Sequence, residues 1–97
     1  MRLHPGCEKE YRRRHAAIWP ELEALLRQTG IREYSIFLEE QTLQLFATLS
    51  IGDAADLSAL AQHPVMRRWW EYMKDMMETN PDHSPVAIPL KEVFYLA

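Results

Sequence analysis

The segment IREYSIFLEEQTLQLFATLSI, residues 31–51, predicts the central element of the structure, because apolar and polar side chains alternate on both sides of a short polar connection. Tyr34 and Ile36 share one face of the first half, and Leu43 and Leu45 begin a second alternating run. A repeat of two is the period of a β-strand. The connection at 39–42 is short enough to join antiparallel neighbours. We therefore predict a β-hairpin with strands over residues 31–39 and 43–51.

Two helices are predicted before the hairpin. The turn signal His4-Pro5-Gly6 is followed by a helical pattern over residues 7–17, with acidic residues in its first turn. Pro20 cannot continue that helix but fits the first position of a new one, so residues 18–19 should form a break. Gly30 should end the second helix, since glycine tolerates the left-handed position just beyond a last turn.

Two more helices and a strand are predicted after the hairpin. Asp53 is expected to cap a short helix that runs through Ala61, and Pro64 to open a helix that reaches about Met77. The run EVFYL at 92–96 is rich in β-branched and aromatic residues and predicts a terminal strand. The carboxyl-terminal residues should therefore belong to a β-sheet.

Residues 1–3 count as a short first strand, and each pair of consecutive helices counts as one helical segment. The order of these elements is then strand, helix, strand, strand, helix, strand. This order is typical of the ferredoxin-like (split βαβ) α+β sandwich. The linkers are too short for a domain boundary, so residues 1–97 should form a single domain. A chain this small gains much by pairing with a copy of itself, which favours a homodimer.

Composition excludes several classes of function. Eleven Lys and Arg stand against 14 Asp and Glu, a net charge of −3 that is unlike a nucleic-acid binder, and we expect the arginine run 12–14 to be a solvated face. No apolar run is long enough to span a bilayer, and no secretory signal core is visible. Cys7 is the only cysteine, which fits a reducing compartment. We therefore expect a cytoplasmic protein without nucleic-acid or membrane partners.

Aromatic and titratable residues suggest a small polar pocket. Tyr11 and His15 are one helical turn apart, so both side chains can reach the same ligand, although His15 could also be an ordinary surface histidine. Trp69 and Trp70 could be a core anchor beside an interface anchor, or a platform that stacks on the C–H face of a sugar. Tyr34 could be a core phenol or a ligand contact.

Other chemistries lack their sequence signals. The four histidines show no metal-binding spacing, and three glycines are too few for a nucleotide-binding loop. Nothing in the sequence places a base beside Cys7, so nucleophilic catalysis by that thiol is not indicated. The methionines at 73, 76 and 77 are expected to fill the core.

Taken together, these motifs resemble the L-rhamnose mutarotase family. The resemblance covers nearly the whole chain and rests on five segments: EYRRRHAAIWPELEALL (10–26), YSIFL (34–38), RRWWEYM (67–73), NPDHSP (80–85) and EVFYL (92–96). It implies a dimeric α+β barrel type of fold that interconverts the α and β anomers of L-rhamnose without a metal or organic cofactor. It also implies that His15 is the proton donor. The implied sugar-binding residues are Tyr11, Tyr34, Trp69 and Trp70.

One feature departs from the family pattern. Members usually begin with a full strand, whereas only Met1-Arg2-Leu3 precedes the turn in this chain. The first strand of a ferredoxin-like sheet is central, so we expect either a start codon placed too late or a sheet completed in another way. We also expect a longer first strand to raise the melting temperature.

Two other functions remain open on the sequence. A dimeric α+β barrel monooxygenase also places Trp and His around a compact pocket, and oxygen dependence would distinguish it. A non-catalytic small-ligand binding or interaction module would use Trp69-Trp70 only as a dimer anchor and leave His15 in solvent.

Overall fold

The computed structural model describes all residues, 1–97, as an α+β chain with four helices and a two-stranded antiparallel sheet. The elements are α1 (Glu8–Ala16), α2 (Pro20–Thr29), β1 (Ile31–Glu39), β2 (Gln44–Ile51), α3 (Leu57–Gln62), α4 (Pro64–Met73) and a 3₁₀ turn (Lys74–Met76). The predicted α+β class and the central hairpin are confirmed. No helix has both the length and the apolar character needed to cross a membrane.

The two strands of the hairpin pair antiparallel, as predicted. Ile31 lies opposite Ile51 and Glu39 opposite Gln44, with one irregularity between Arg32 and Ser35. The Glu39 carboxylate closes the turn by accepting hydrogen bonds from the backbone N–H of Thr42 at 2.6 Å and of Gln41 at 3.2 Å. The hydrogen bonds from Thr42 hold the pKa of Glu39 below its usual value. The polar connection is therefore stabilised by its own side chain.

The amino-terminal residues lie between β2 and the segment that follows the 3₁₀ turn. On one side Leu3 N–H donates to Leu43 O at 2.9 Å, and Leu45 N–H donates to Met1 O at 2.7 Å. On the other side His4 N–H donates to Met76 O at 2.8 Å. Isolated antiparallel bridges join Arg2 to Gln44 and Leu3 to Met77. The sheet is thus extended beyond the hairpin by short, bridge-like pairings.

The break between α1 and α2 forms as predicted. Trp19 adopts an extended backbone as the residue before Pro20, which begins α2. Gly30 ends α2 with φ 98°, and its N–H bonds back to Leu26 and Arg27 carbonyls. Proline at the start and glycine at the end therefore set the length of α2.

The predicted cap at Asp53 is wrong. Asp56 caps α3 by accepting from Ala59 N–H at 3.0 Å, and α3 runs from Leu57 to Gln62. Residues between Gly52 and Ala55 form a turn instead, closed by Ala55 N–H to Gly52 O at 3.0 Å. Two aspartates stand three positions apart, and the one next to the first apolar residue, Leu57, acts as the cap.

The predicted extents of the last helix and of the terminal strand also need correction. α4 ends at Met73 and tightens into the 3₁₀ turn before Met77. Residues 92–96 form no strand, and Val93 and Phe94 are 90 % and 79 % exposed. A strand needs a neighbouring backbone with free donors and acceptors. Residues 92–96 make no backbone hydrogen bond to any other segment of this chain, so they have no such neighbour here.

The core is small. Nine residues are buried, and eight of them form one cluster. Leu3 and Leu22 are the most completely enclosed, at 2 % and 1 % exposure. Met73, Met76 and Met77 lie in the same cluster, which confirms them as core residues. A core of this size leaves much apolar surface uncovered.

Candidate active site

One cavity brings together all five residues that the sequence singled out. Its volume is about 70 Å³, and it opens between α1, β1 and α4. The predicted residues in its wall are Tyr11, His15, Tyr34, Trp69 and Trp70. The remaining wall residues are Met1, Ile36, Met66, Met73, Met77, His83 and Pro85. An apolar lining with a few polar groups is typical of small-molecule sites.

His15 is held in one tautomer by the helix that carries it. Its Nδ1 lies 3.1 Å from the carbonyl oxygen of Tyr11, and its ring stacks on the Tyr11 ring with centroids 4.3 Å apart. A carbonyl oxygen only accepts, so Nδ1 carries the hydrogen and Nε2 is the free position. Burial lowers the pKa of His15, and the bond to Tyr11 opposes this in part. Nε2 accepts a proton in the neutral ring and donates one in the imidazolium.

Trp69 anchors the wall from α4. It is 5 % exposed and stands edge-on to His15, with centroids 5.4 Å apart. Trp19 packs edge-on against the other side of Trp69 at 5.1 Å and does not line the cavity. Trp69 is therefore both core and cavity wall, while its neighbour Trp70 is half-buried on the cavity. Trp19 lies in the break between α1 and α2 and contacts the site only through Trp69.

Two phenols face the cavity from different elements. Tyr11 is buried on α1, and burial raises the pKa of its hydroxyl far above the usual value. Tyr34 projects from β1, and although 44 % of the residue is exposed, desolvation also raises its pKa. Both hydroxyls stay protonated at neutral pH, so both can donate hydrogen bonds to a ligand oxygen.

The arginine run is only partly a solvated face. Arg13 is 62 % exposed, whereas the Arg14 side chain is 19 % exposed. Arg14 donates to Tyr72 O at 2.6 Å and lies over the Tyr72 ring at 4.3 Å. Both arginines bond to Glu10, chiefly Arg13, and lower the pKa of that carboxyl to about 2. The prediction of a solvated face is wrong for Arg14, which ties α1 to α4.

Sequence reasoning missed several wall residues, of which His83 is the polar one. His83 sits in the loop after the 3₁₀ turn, and no spacing in the sequence relates it to His15. Its Nδ1 lies 2.6 Å from Oε2 of Glu71. Only the folding of that loop back over α4 brings His83 to the cavity.

No group of three or more His, Cys, Asp or Glu in the chain could hold a metal ion.

Comparison with known proteins identifies relatives of this chain. The family model described as L-rhamnose mutarotase matches residues 1–96. An L-rhamnose mutarotase of Leptothrix cholodnii is 56 % identical over 99 % of this chain and 91 % of its own length. One from Sinorhizobium fredii is 54 % identical over 100 % of this chain and 93 % of its own length.

Comparison with a solved structure gives the same result. A crystal structure of an L-rhamnose mutarotase from Formosa agariphila superimposes with a TM-score of 0.92 at 45 % identity. The match covers 100 % of this chain and 93 % of that one. None of these comparisons favours the monooxygenase or the non-catalytic module. Sequence and structure together show that this chain belongs to the L-rhamnose mutarotase family.

Proposed function

We propose that this chain is an isomerase that interconverts the α and β anomers of L-rhamnose. The observation that carries the proposal is the convergence of Tyr11, His15, Tyr34, Trp69 and Trp70 on one cavity. They do so in a chain of a family whose members are named for this reaction. The substrate is a small neutral sugar, and the residues present are of the types that bind one.

The reaction needs two proton transfers and no change of oxidation state. The ring oxygen gains a proton while the anomeric hydroxyl loses one, the C1–O5 bond breaks, and an aldehyde forms. Rotation about C1–C2 followed by closure gives the other anomer. General acid-base assistance of about 10²- to 10⁴-fold corresponds to roughly 3 to 5 kcal/mol of barrier, which positioned imidazoles can supply.

His15 is the proton donor in this scheme. Nε2 is its free ring position, because Nδ1 is bonded to the Tyr11 carbonyl. The imidazolium donates from Nε2 to the ring oxygen, and burial makes that imidazolium a stronger acid than a free one. The same atom recovers the proton when the ring closes. A single histidine thereby serves both directions of the reaction.

Sugar binding is assigned to the aromatic residues. Trp69 and Trp70 offer indole faces or edges to the apolar side of a pyranose and N–H groups to its hydroxyls. Tyr11 and Tyr34 add hydroxyl donors that stay protonated. The cavity of about 70 Å³ is smaller than typical ligand sites of roughly 300 to 1,000 Å³. The sugar therefore extends from the cavity into its mouth, beside Trp70 and His83.

The finer fold assigned here is a ferredoxin-like sheet. The order β1, β2, residues 1–4, residues 76–78, with antiparallel neighbours, supports it. Along the chain, α1 and α2 lie between residues 1–4 and β1, and α3 and α4 lie between β2 and residues 76–78, as in a split βαβ unit.

The single free Cys7 fits a reducing compartment, so the activity is assigned to the cytoplasm.

A homodimer accounts for the uncovered apolar surface. Phe37 and Phe46 are cross-strand partners on the sheet face opposite the buried Leu45, and they are 58 % and 42 % exposed. The tail adds more apolar side chains, with Phe94 79 % and Leu96 81 % exposed. Patches of this kind on a soluble chain mark interaction sites. A second copy, with its tail laid on this face, covers both.

The activity is tested by polarimetry on freshly dissolved crystals of one rhamnose anomer. The rate constant with which the optical rotation reaches its equilibrium value should increase in proportion to the concentration of the protein. An equal concentration of albumin is the control. A rate that does not depend on the protein, from a sample that is folded by circular dichroism, would refute the proposed function.

A further inference from the structure

His83 is a second histidine on the wall of the proposed site, and it comes from a different part of the chain than His15. His15 belongs to α1, whereas His83 belongs to the loop over residues 80–85 that follows the 3₁₀ turn. Both rings contribute to the same cavity. His83 is 40 % exposed at its side chain, so it stands at the mouth of that cavity.

The His83 ring is oriented by a carboxylate. Glu71 Oε2 lies 2.6 Å from Nδ1 of His83, and Glu71 Oε1 accepts from Lys74 Nζ at 2.7 Å. Hydrogen bonding by Lys74, with a smaller contribution from His83, keeps the pKa of Glu71 below its usual value, so Glu71 stays an acceptor. Nδ1 of His83 therefore carries a hydrogen. The neutral ring keeps its lone pair on Nε2.

The loop that carries His83 is itself fixed by hydrogen bonds. His83 has φ 70°, a conformation that costs an L-residue energy and persists only where the surroundings enforce it. Asn80 N–H donates to Ser84 O at 2.8 Å, and Ser84 N–H donates to Asp82 Oδ1 at 3.0 Å. His83 N–H donates to Asn80 O at 2.9 Å. These bonds hold an unusual backbone in place and present the imidazole to the cavity.

The mutarotase reaction leaves one role unassigned. If His15 gives a proton to the ring oxygen, another group must take the proton of the anomeric hydroxyl. Neither Tyr11 nor Tyr34 suits this role, because their raised pKa values keep them protonated. A carboxylate-held imidazole with a free Nε2 lone pair has the required chemistry.

We propose that His83, oriented by Glu71, is the catalytic base that accepts the anomeric hydroxyl proton while His15 donates to the ring oxygen. The proposal rests on the proposed mutarotase function. One proton leaves O1 for His83 Nε2, one passes from His15 to O5, the C1–O5 bond breaks, and C1=O1 forms. Ring closure reverses both transfers on the other face of C1. Glu71 acts through His83 and is a positioning residue.

The test uses H83N, because asparagine tolerates the left-handed backbone but cannot exchange a proton near neutral pH. We expect kcat for anomer exchange to fall about 10²-fold while KM changes little. E71Q should lower kcat about 10-fold, as is usual for a residue that orients another. H4N is the matched control, since His4 is exposed and lies outside the cavity wall. It should retain wild-type kinetics.

The pH profile separates a base from a structural residue. A catalytic base gives the kcat/KM profile of the wild type an acidic limb, which H83N should lose, whereas loss of a merely structural residue would leave the shape of the profile unchanged. The ionisable groups that share this region and are left intact are Glu71, Lys74, Asp82, Arg67, His15, Tyr11 and Tyr34.

Each outcome decides one question. If the wild type is active and both H83N and E71Q have the same kcat as the wild type, the assignment of His83 is overturned, while the mutarotase function is retained. An inactive wild type would instead refute the function itself. If H83N fails to fold, unchanged kcat in E71Q together with an acidic limb of unaltered position would overturn the proposal on its own.

Discussion

Replacement of Phe94 by alanine should dissociate the proposed homodimer. A phenylalanine side chain presents roughly 150 to 250 Å², and 79 % of Phe94 is exposed in the single chain. About 120 to 200 Å² therefore remains to be buried, which at about 25 cal/mol per Å² corresponds to roughly 3 to 5 kcal/mol before the costs of association. We expect Phe94→Ala to cost about 2 to 4 kcal/mol at each of the two symmetric tails, a value within the range of interface hot spots, and therefore about 4 to 8 kcal/mol of dimer stability.

This cost corresponds to a weakening of the dimer dissociation constant by about 10³- to 10⁶-fold. Sedimentation equilibrium over a series of protein concentrations measures it, because the dimer has twice the 11.4 kDa mass of the chain. Leu57→Ala is the control, since Leu57 is 45 % exposed but belongs to α3 and to neither the tail nor the hairpin. A wild type that stays monomeric, or a Phe94→Ala dimer as tight as the wild type, would show that Phe94 does not hold two copies together.

Two further predictions concern stability. Burial raises the pKa of Tyr11, so above about pH 10 the unfolded chain releases a proton that the folded chain retains. The free energy of unfolding should therefore fall as the pH rises further. Urea titrations at several pH values should show a weaker fall for Tyr11→Phe than for the wild type. Leu22 is 1 % exposed, so Leu22→Ala should cost about 2 to 5 kcal/mol and lower the melting temperature by roughly 10 °C or more, while Leu57→Ala stays within about 0.5 kcal/mol. A melting temperature equal to the wild type in Leu22→Ala would contradict the packing described for α2.

The sequence predicted those elements whose signals are local. The alternation over residues 31–51 required a hairpin, and Pro20 with Gly30 bounded α2, because these residues restrict the backbone wherever they occur. The cap was misplaced from Asp56 to Asp53 because both aspartates precede the same apolar run. The local difference between them is that only Asp56 stands directly before Leu57, where α3 begins.

The remaining features depend on distant partners. The run at 92–96 has the composition of a strand, but a strand forms only beside a free sheet edge, and composition does not reveal where that edge lies. Tyr11 and His15 could be paired by their helical spacing. His83 could not be added to them, since its place at the cavity depends on a loop fixed by Asn80 and Ser84.

We infer that this chain exchanges the anomers of L-rhamnose through His15. Saturation-transfer NMR observes this exchange, by saturating one anomeric proton and following the other with and without protein. We predict exchange that grows with the concentration of the wild-type chain and returns to the buffer rate in His15→Ala. Exchange at the buffer rate with the folded wild type, or undiminished exchange with His15→Ala, would contradict the account.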